Sequence, residues 1–269
     1  MQSIRADAFT FYSLTTSSFL TSAVDEYGIN LALLFHGDAA TTHWLAGVWA
    51  PDEARHGRWL RAYVEDLWPD FDWDAAQRDY LGRIPRRSTD HLQPSRALEA
   101  LARCVTEAQA TMMYRCLADY TSDPQLAEML RAIGQDDIRH YREFQRILER
   151  YEALERPSLY RKGRTIVERS ALVRTRDLAL AFRSIPAGWR SAPPFEAQSY
   201  ARFMARARPV LERHFAFDAA LRMMLRPLEP AQGTLLHRYL ASAVSRSLLS
   251  GYKKGDEAGD AVFDTGPLA

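Results

Sequence analysis

The stretch from Pro124 to Glu155, PQLAEMLRAIGQDDIRHYREFQRILERYEALE, decides how the chain is read. Leu126, Leu130, Ile133, Asp137, His140, Phe144, Ile147 and Tyr151 recur at alternating steps of four and three. That spacing places them on one face of an α-helix. Most of these positions are apolar, so the stripe faces a core, and it carries an aspartate and a histidine one turn apart. An unpartnered carboxylate in a core costs several kcal/mol, so Asp137 calls for a partner, and a metal cation is one such partner.

The chain carries two near copies of one pentapeptide. Asp136-Asp137-Ile138-Arg139-His140 repeats the form of Asp52-Glu53-Ala54-Arg55-His56. The earlier copy lies in a stripe of its own: Leu45, Trp49, Glu53, His56, Leu60, Tyr63 and Leu67. Two further acids fall in mostly apolar helical runs, Glu26 with Ala23, Asn30 and Leu33, and Glu107 with Cys104, Val105, Ala108, Ala110 and Met112. Glu26 precedes Glu53 by 27 residues and Glu107 precedes Asp137 by 30, intervals at which antiparallel helices return to one height. Glu26, Glu53, His56, Glu107, Asp137 and His140 thus form a candidate ligand set of carboxylates and imidazoles, suited to a pair of iron or manganese ions inside a helical bundle. One copy alone would read as a surface ion-pair cluster; two copies in core register point to a dinuclear site. Asp52, Arg55, Asp136 and Arg139 have two readings. They either support the ligand histidines from outside or form exposed ion pairs worth a few tenths of a kcal/mol.

The rest of the chain is helical in pattern, so the predicted fold class is all-α. Helices are expected at about residues 9–36, 38–67, 95–120 and 124–155, with Pro51 kinking the second just ahead of Glu53. A short helical piece around 73–81 interrupts the Pro- and Gly-broken segment between the second and third. Further helices are expected at about 158–182, 194–224 and 230–249, with a loop over 184–194 and a loose tail from about 251. This divides the chain into a four-helix bundle over 1–155 and a helical extension over 156–269.

Composition bounds the function. With 35 basic and 34 acidic residues, the net charge of +1 offers no field for nucleic acid or a membrane surface. Cys104 and Cys116, twelve residues apart in one expected helix, would lie about 18 Å apart, too far to bridge. No apolar run is long enough to span a bilayer, and residues 1–8 lack the pattern of a secretion signal, so a cytoplasmic location is expected. Phosphate-loop, dinucleotide and nucleophile-elbow patterns do not occur. His214 is read as a core or boundary histidine rather than an extra ligand. The run Arg161-Lys162-Gly163-Arg164, with Arg169, Arg174 and Arg176, is read as a solvated face rather than a dock for an acidic carrier.

At the two histidine motifs the chain resembles the soluble acyl-ACP desaturases of the ferritin-like superfamily. The run Trp49-Ala50-Pro51-Asp52-Glu53-Ala54-Arg55-His56-Gly57, followed by Leu60 and Tyr63, is similar to that family's first motif, and Asp136-Asp137-Ile138-Arg139-His140 to its second. Glu26 and Glu107 match its other two ligand glutamates. The resemblance spans roughly residues 15–150 and implies a ferritin-like four-helix bundle, here with additional C-terminal helices. It further implies a homodimer with two Fe ions per chain (Mn is the other candidate), fed electrons by a donor such as ferredoxin. The chemistry implied is O2-dependent removal of hydrogen from an acyl chain, carrier-bound or as a small molecule. Trp49, Tyr114 and Phe144 would line the substrate tunnel. Asp137 stands where the family has glutamate. Ala110 stands where it often has threonine, and Thr111, which follows, is counted among the outer residues of the site. The alternatives are a ferritin-like metal-binding protein that oxidises no organic substrate, or a di-iron oxygenase acting on a small amine, aldehyde or aromatic acid.

Overall fold

The computed structural model describes residues 7–84, 92–175, 177–196, 199–231, 238–239 and 242–243, with side chains at all of these except 26, 171–175, 177 and 229–231. The fold among them is all-α. The helices are α1 (Ala8–Ser22), α2 (Val24–Leu34), α3 (Ala39–Trp44), α4 (Ala50–Leu67), α5 (Trp73–Arg83), α6 (Arg96–Tyr120), α7 (Pro124–Glu155), α8 (Leu159–Thr175), α9 (Asp177–Ser184), α10 (Tyr200–His214) and α11 (Phe217–Leu225). The expected helix over 230–249 falls largely outside the described residues, and the tail from 251 entirely so.

Helix starts follow local chemistry. Asp7, Asp38, Asp72, Ser95 and Asp123 each accept a backbone N–H of the first turn, satisfying a donor the helix itself leaves free. Pro124 occupies the first turn of α7, where its missing N–H costs nothing. Arg156 ends that helix in the left-handed region, at φ 45°, and Pro157 prevents its return.

Two expectations are corrected. The first helix is not continuous: it breaks at Ala23, so α1 and α2 are separate. The region expected as one helix over 194–224 also divides, with Phe215 and Ala216 between α10 and α11. A third expectation takes a different form. Ahead of Pro51 the chain passes through a wide π-helical turn, Leu45–Trp49, in which the Ala50 N–H donates to Leu45 O five residues back. Proline lacks the N–H for a normal rung and crowds the carbonyl four residues earlier; the wide turn absorbs both.

α6 and α7 pack along their lengths, and α4 packs on α1, α2 and α7. α8, α10 and α11 cover the remaining sides of α6, which is why that helix is buried almost all round and reads as alanine-rich and apolar. A second core forms where Phe11 meets Trp68, Phe71, Trp189 and Phe195 with ring centroids 5.0–5.2 Å apart, tying α1 to the segment after α9. α1 and α4 approach closely at Gly57: a Cβ there would lie 2.3 Å from Ser22 Oγ and 3.0 Å from Ser22 N. The glycine next to His56 thus sets the depth at which α4 enters the bundle. Among the described residues no helix is long and apolar enough to cross a membrane.

Candidate metal centre

Every stripe residue of α7 from Leu126 to Tyr151 is buried, so the register carries Asp137 (2% exposed) and His140 (1%) into the interior. α4 brings Glu53 and His56, and α6 brings Glu107, all buried. Glu53, Glu107, Asp137 and His140 each place one ligand atom within 4.8 Å of all the others, a group that could hold a metal ion. His140 Nδ1 lies 3.5 Å from Glu53 Oε1 and 3.6 Å from Glu107 Oε2. His56 completes the other side, its Nδ1 4.0 Å from both Glu53 Oε1 and Asp137 Oδ1. Glu26 belongs to α2, and its side chain lies outside the described residues.

The supporting aspartates are crossed. His56 Nε2 is 2.9 Å from Asp136 Oδ2, and His140 Nε2 is 3.2 Å from Asp52 Oδ2, so each motif's aspartate serves the other motif's histidine. Arg55 joins the two, 2.5 Å from Asp52 Oδ1 and 2.6 Å from Asp136 Oδ2. Arg139, largely exposed, donates to Asp136. Asp52 and Asp136 thus lie against the two histidines, with Arg55 between them. With Nε2 against a carboxylate, each ring turns Nδ1 toward the cluster.

His56 Nδ1, His140 Nδ1 and Asp137 Oδ2 are buried without a hydrogen bond, an unusual concentration of unsatisfied atoms at one point. Electrostatics agree with geometry. Burial, then the charges of Glu107 and Glu53, push the Asp137 carboxyl well above the usual carboxylate range. Burial opposes a charge on His140, but Glu107 and Glu53 outweigh it and push its pKa up to about 11. Three buried carboxylates thus compete for positive charge, and protons meet that need in the protein alone. Oxygen and nitrogen donors in this mixture fit a first-row divalent cation. The donor set and the unpartnered atoms therefore fit a metal.

Aromatic rings hold the group in place. Trp49 Nε1–H donates to Glu107 Oε1 at 3.2 Å, and Trp44 packs edge-on against both His140 and Phe144. Thr111 is fully buried on α6, its hydroxyl without a partner and without a hydrogen bond to the cluster. His214 sits at the end of α10 beside Tyr120 and takes no part. The basic run divides: Lys162 pairs with Glu152 and Arg169 with Glu99, while Arg164 makes an exposed pair with Glu168.

A cavity of about 240 Å³ opens beside the cluster. Glu53, Glu107 and Asp137 form one end with Trp49 and Tyr27, and the walls are α1, α6 and α10. Tyr114 lines it as the sequence suggests, whereas Phe144 backs onto Trp44 and Trp49 instead. Threonines line it without making it polar: the Thr16 and Thr21 hydroxyls donate to Tyr12 O and Ser17 O of their own helix. Arg103, also on the wall, has no counterpart in the sequence-derived site.

No family model matches this chain, and no curated protein does. Its role has to be drawn from the arrangement of its own residues.

Proposed function

We propose that the chain is a ferritin-like protein that holds two iron ions between α2, α4, α6 and α7 and oxidises an apolar or acyl substrate with O2. Glu53, His56, Glu107, Asp137 and His140 would be ligands, with Glu26 from α2 as the sixth. When bound, such a metal pair supplies the activation of O2, chemistry that protein side chains do not perform. The chain's own residues fix the geometry. Asp52 and Asp136 hold the histidine tautomers, Arg55 locks those aspartates together, and the surrounding aromatic rings keep water from the cluster. One observation carries this reading: two buried imidazoles, each with its outer nitrogen on a carboxylate, turn their Nδ1 atoms toward three carboxylates that open onto a cavity.

Elemental analysis of protein from iron-supplemented cultures is expected to give two irons per chain, lost together with activity in His140→Ala. Full iron occupancy in that variant contradicts the ligand assignment. A second reading, metal binding without substrate oxidation, has one observation in its favour. Ala110, one turn beyond Glu107, presents only a methyl group to the cavity where the resembled family often has a hydroxyl. Consumption of O2 after anaerobic reduction separates the two, since the second reading expects none.

A further inference from the structure

The cavity has chemically distinct ends. It runs along α1 from Thr21 to Phe9, twelve residues, or about 18 Å of helix. At the Thr21 end stand Arg103 and the cluster; at the other stand Phe9, Phe203 and Met204. Arg103 is one turn before Glu107 on α6 and only 8% exposed. Its Nε–H donates to Glu99 at 2.7 Å, and its guanidinium lies 5.8 Å from the Tyr27 ring centroid. Among the described residues Glu99 is its only hydrogen-bonding partner. That carboxylate is shared, accepting also from Arg169 at 3.4 Å and from the Gln93 N–H at 2.8 Å. A guanidinium carries five N–H groups, so Arg103 is under-served for a buried cation. A second polar group on the same wall is also incomplete: Gln109, 7% exposed, has its Oε1 without a partner.

We infer that the cavity takes a free carboxylic acid with an apolar tail, bound head-first: carboxylate at Arg103, tail along α1 and α10. The opposite orientation would leave a methyl end against a guanidinium whose only carboxylate among the described residues is shared with Arg169. Head-first binding puts the carbons beside the carboxylate nearest the metal ligands. What becomes of those carbons rests on the proposed oxidase reading; the binding does not.

Dodecanoate, dodecanol and methyl dodecanoate serve as probes, titrated calorimetrically into the full-length protein as purified, with its metal content measured on the same samples. Dodecanoate is expected to bind about tenfold or more tightly than the other two, the least that a charge-assisted hydrogen bond contributes. Arg103→Gln should abolish that preference, Arg103→Lys should keep part of it, and Ala207→Phe, which fills the tail region, should weaken all three probes. Equal affinities in the wild type overturn the inference without any variant having to fold. So does an acid preference that survives Arg103→Gln, because the carboxylate would then be held by the cluster. Acid preference without bound metal would remove the oxidase reading and leave this one; metal without acid preference would do the reverse.

Discussion

Asp136 offers the sharpest test of how the centre is held. Its Oδ2 lies 2.9 Å from His56 Nε2 and accepts from Arg55 Nη2 at 2.6 Å, and its Oδ1 accepts from Arg139. Burial works to raise this carboxyl, but the hydrogen bonds from His56 and Arg55 outweigh it and keep it below the usual carboxylate range. Asp136→Asn preserves shape while removing the charge and one acceptor. An asparagine oxygen in the place of Oδ2 still accepts from His56 and Arg55 but without the charge, and its NH2 then faces the Arg139 donor; the flipped amide sets NH2 against both His56 and Arg55. Loss of such an outer partner lowers metal affinity by about 10–100-fold, or about 1.4–2.7 kcal/mol. Competition between the protein and a chromophoric chelator for manganese(II) measures it. Asp52→Asn should cost less, since its contact to His140 is longer, 3.2 Å, and its side chain is more exposed, 13% against 7%. Because Arg55 touches both aspartates, the double variant should lose less than the sum of the two. Glu143→Gln, at a largely exposed pair with Arg146, is the control. Wild-type affinity in Asp136→Asn would falsify the claim that Asp136 sets the His56 tautomer for a metal.

Three further outcomes are expected. Gly57→Ala should destabilise the fold and reduce metal affinity together, as a Cβ would overlap Ser22 Oγ at 2.3 Å and crowd the Ser22 backbone N at 3.0 Å, whereas Gly134→Ala should be neutral or stabilise by up to about 1 kcal/mol, its nearest neighbour being 3.6 Å away; thermal melts that rank the two the other way contradict the packing described. Metal uptake should release protons and tighten as pH rises through neutrality, because His140, with a pKa near 11, must give up its Nδ1 proton; calorimetry in buffers of different ionisation enthalpy detects this, and an absence of proton release refutes it. Asp38→Ala should cost about 1–2 kcal/mol as a lost helix cap. Burial raises the Asp38 carboxyl, but Thr41, Tyr151 and Arg150 together lower it. Its contribution is therefore present above the unfolded value of 3.8 and lost as pH falls through the lower folded value. Melting temperatures of the variant and the wild type should converge in acid, and a constant gap counts against the assignment.

Much of this was legible in the sequence where one residue type has one local meaning. Ser95, Asp123-Pro124 and Pro157 bracket α6 and α7 because caps and prolines act within a single turn. The α7 stripe is legible because its period fixes a face. The break at Ala23 is marked by neither glycine nor proline, only by the weak helix formers Thr21, Ser22, Val24 and Asp25, and the chain turns where Ser22 meets Gly57 of another helix. Phe215 and Ala216 likewise interrupt the α10–α11 run without glycine or proline. The motifs gave the aspartates and histidines but not their crossing, because which histidine each aspartate serves depends on how α4 and α7 face one another. Glu99 and Arg103, four residues apart, have the spacing of any exposed ion pair on a helix, so nothing in the sequence singles them out. What packs on α6 makes them interior: Arg169 of α8 meets Glu99, and Tyr27 of α2 lies beside Arg103.

The wide turn at Leu45–Trp49 has a mechanical consequence. A regular helix transmits fraying along its ladder of rungs, so loosening at one end lowers the protection of the next turn. Here the ladder changes step just before Glu53, and the upstream rungs of α3 can open without unwinding the turn that carries Glu53 and His56. Amide hydrogens of 41–44 should therefore exchange in a separate, faster phase than those of 55–60, with the wide turn acting as a buffer between a loose entrance and a rigid floor.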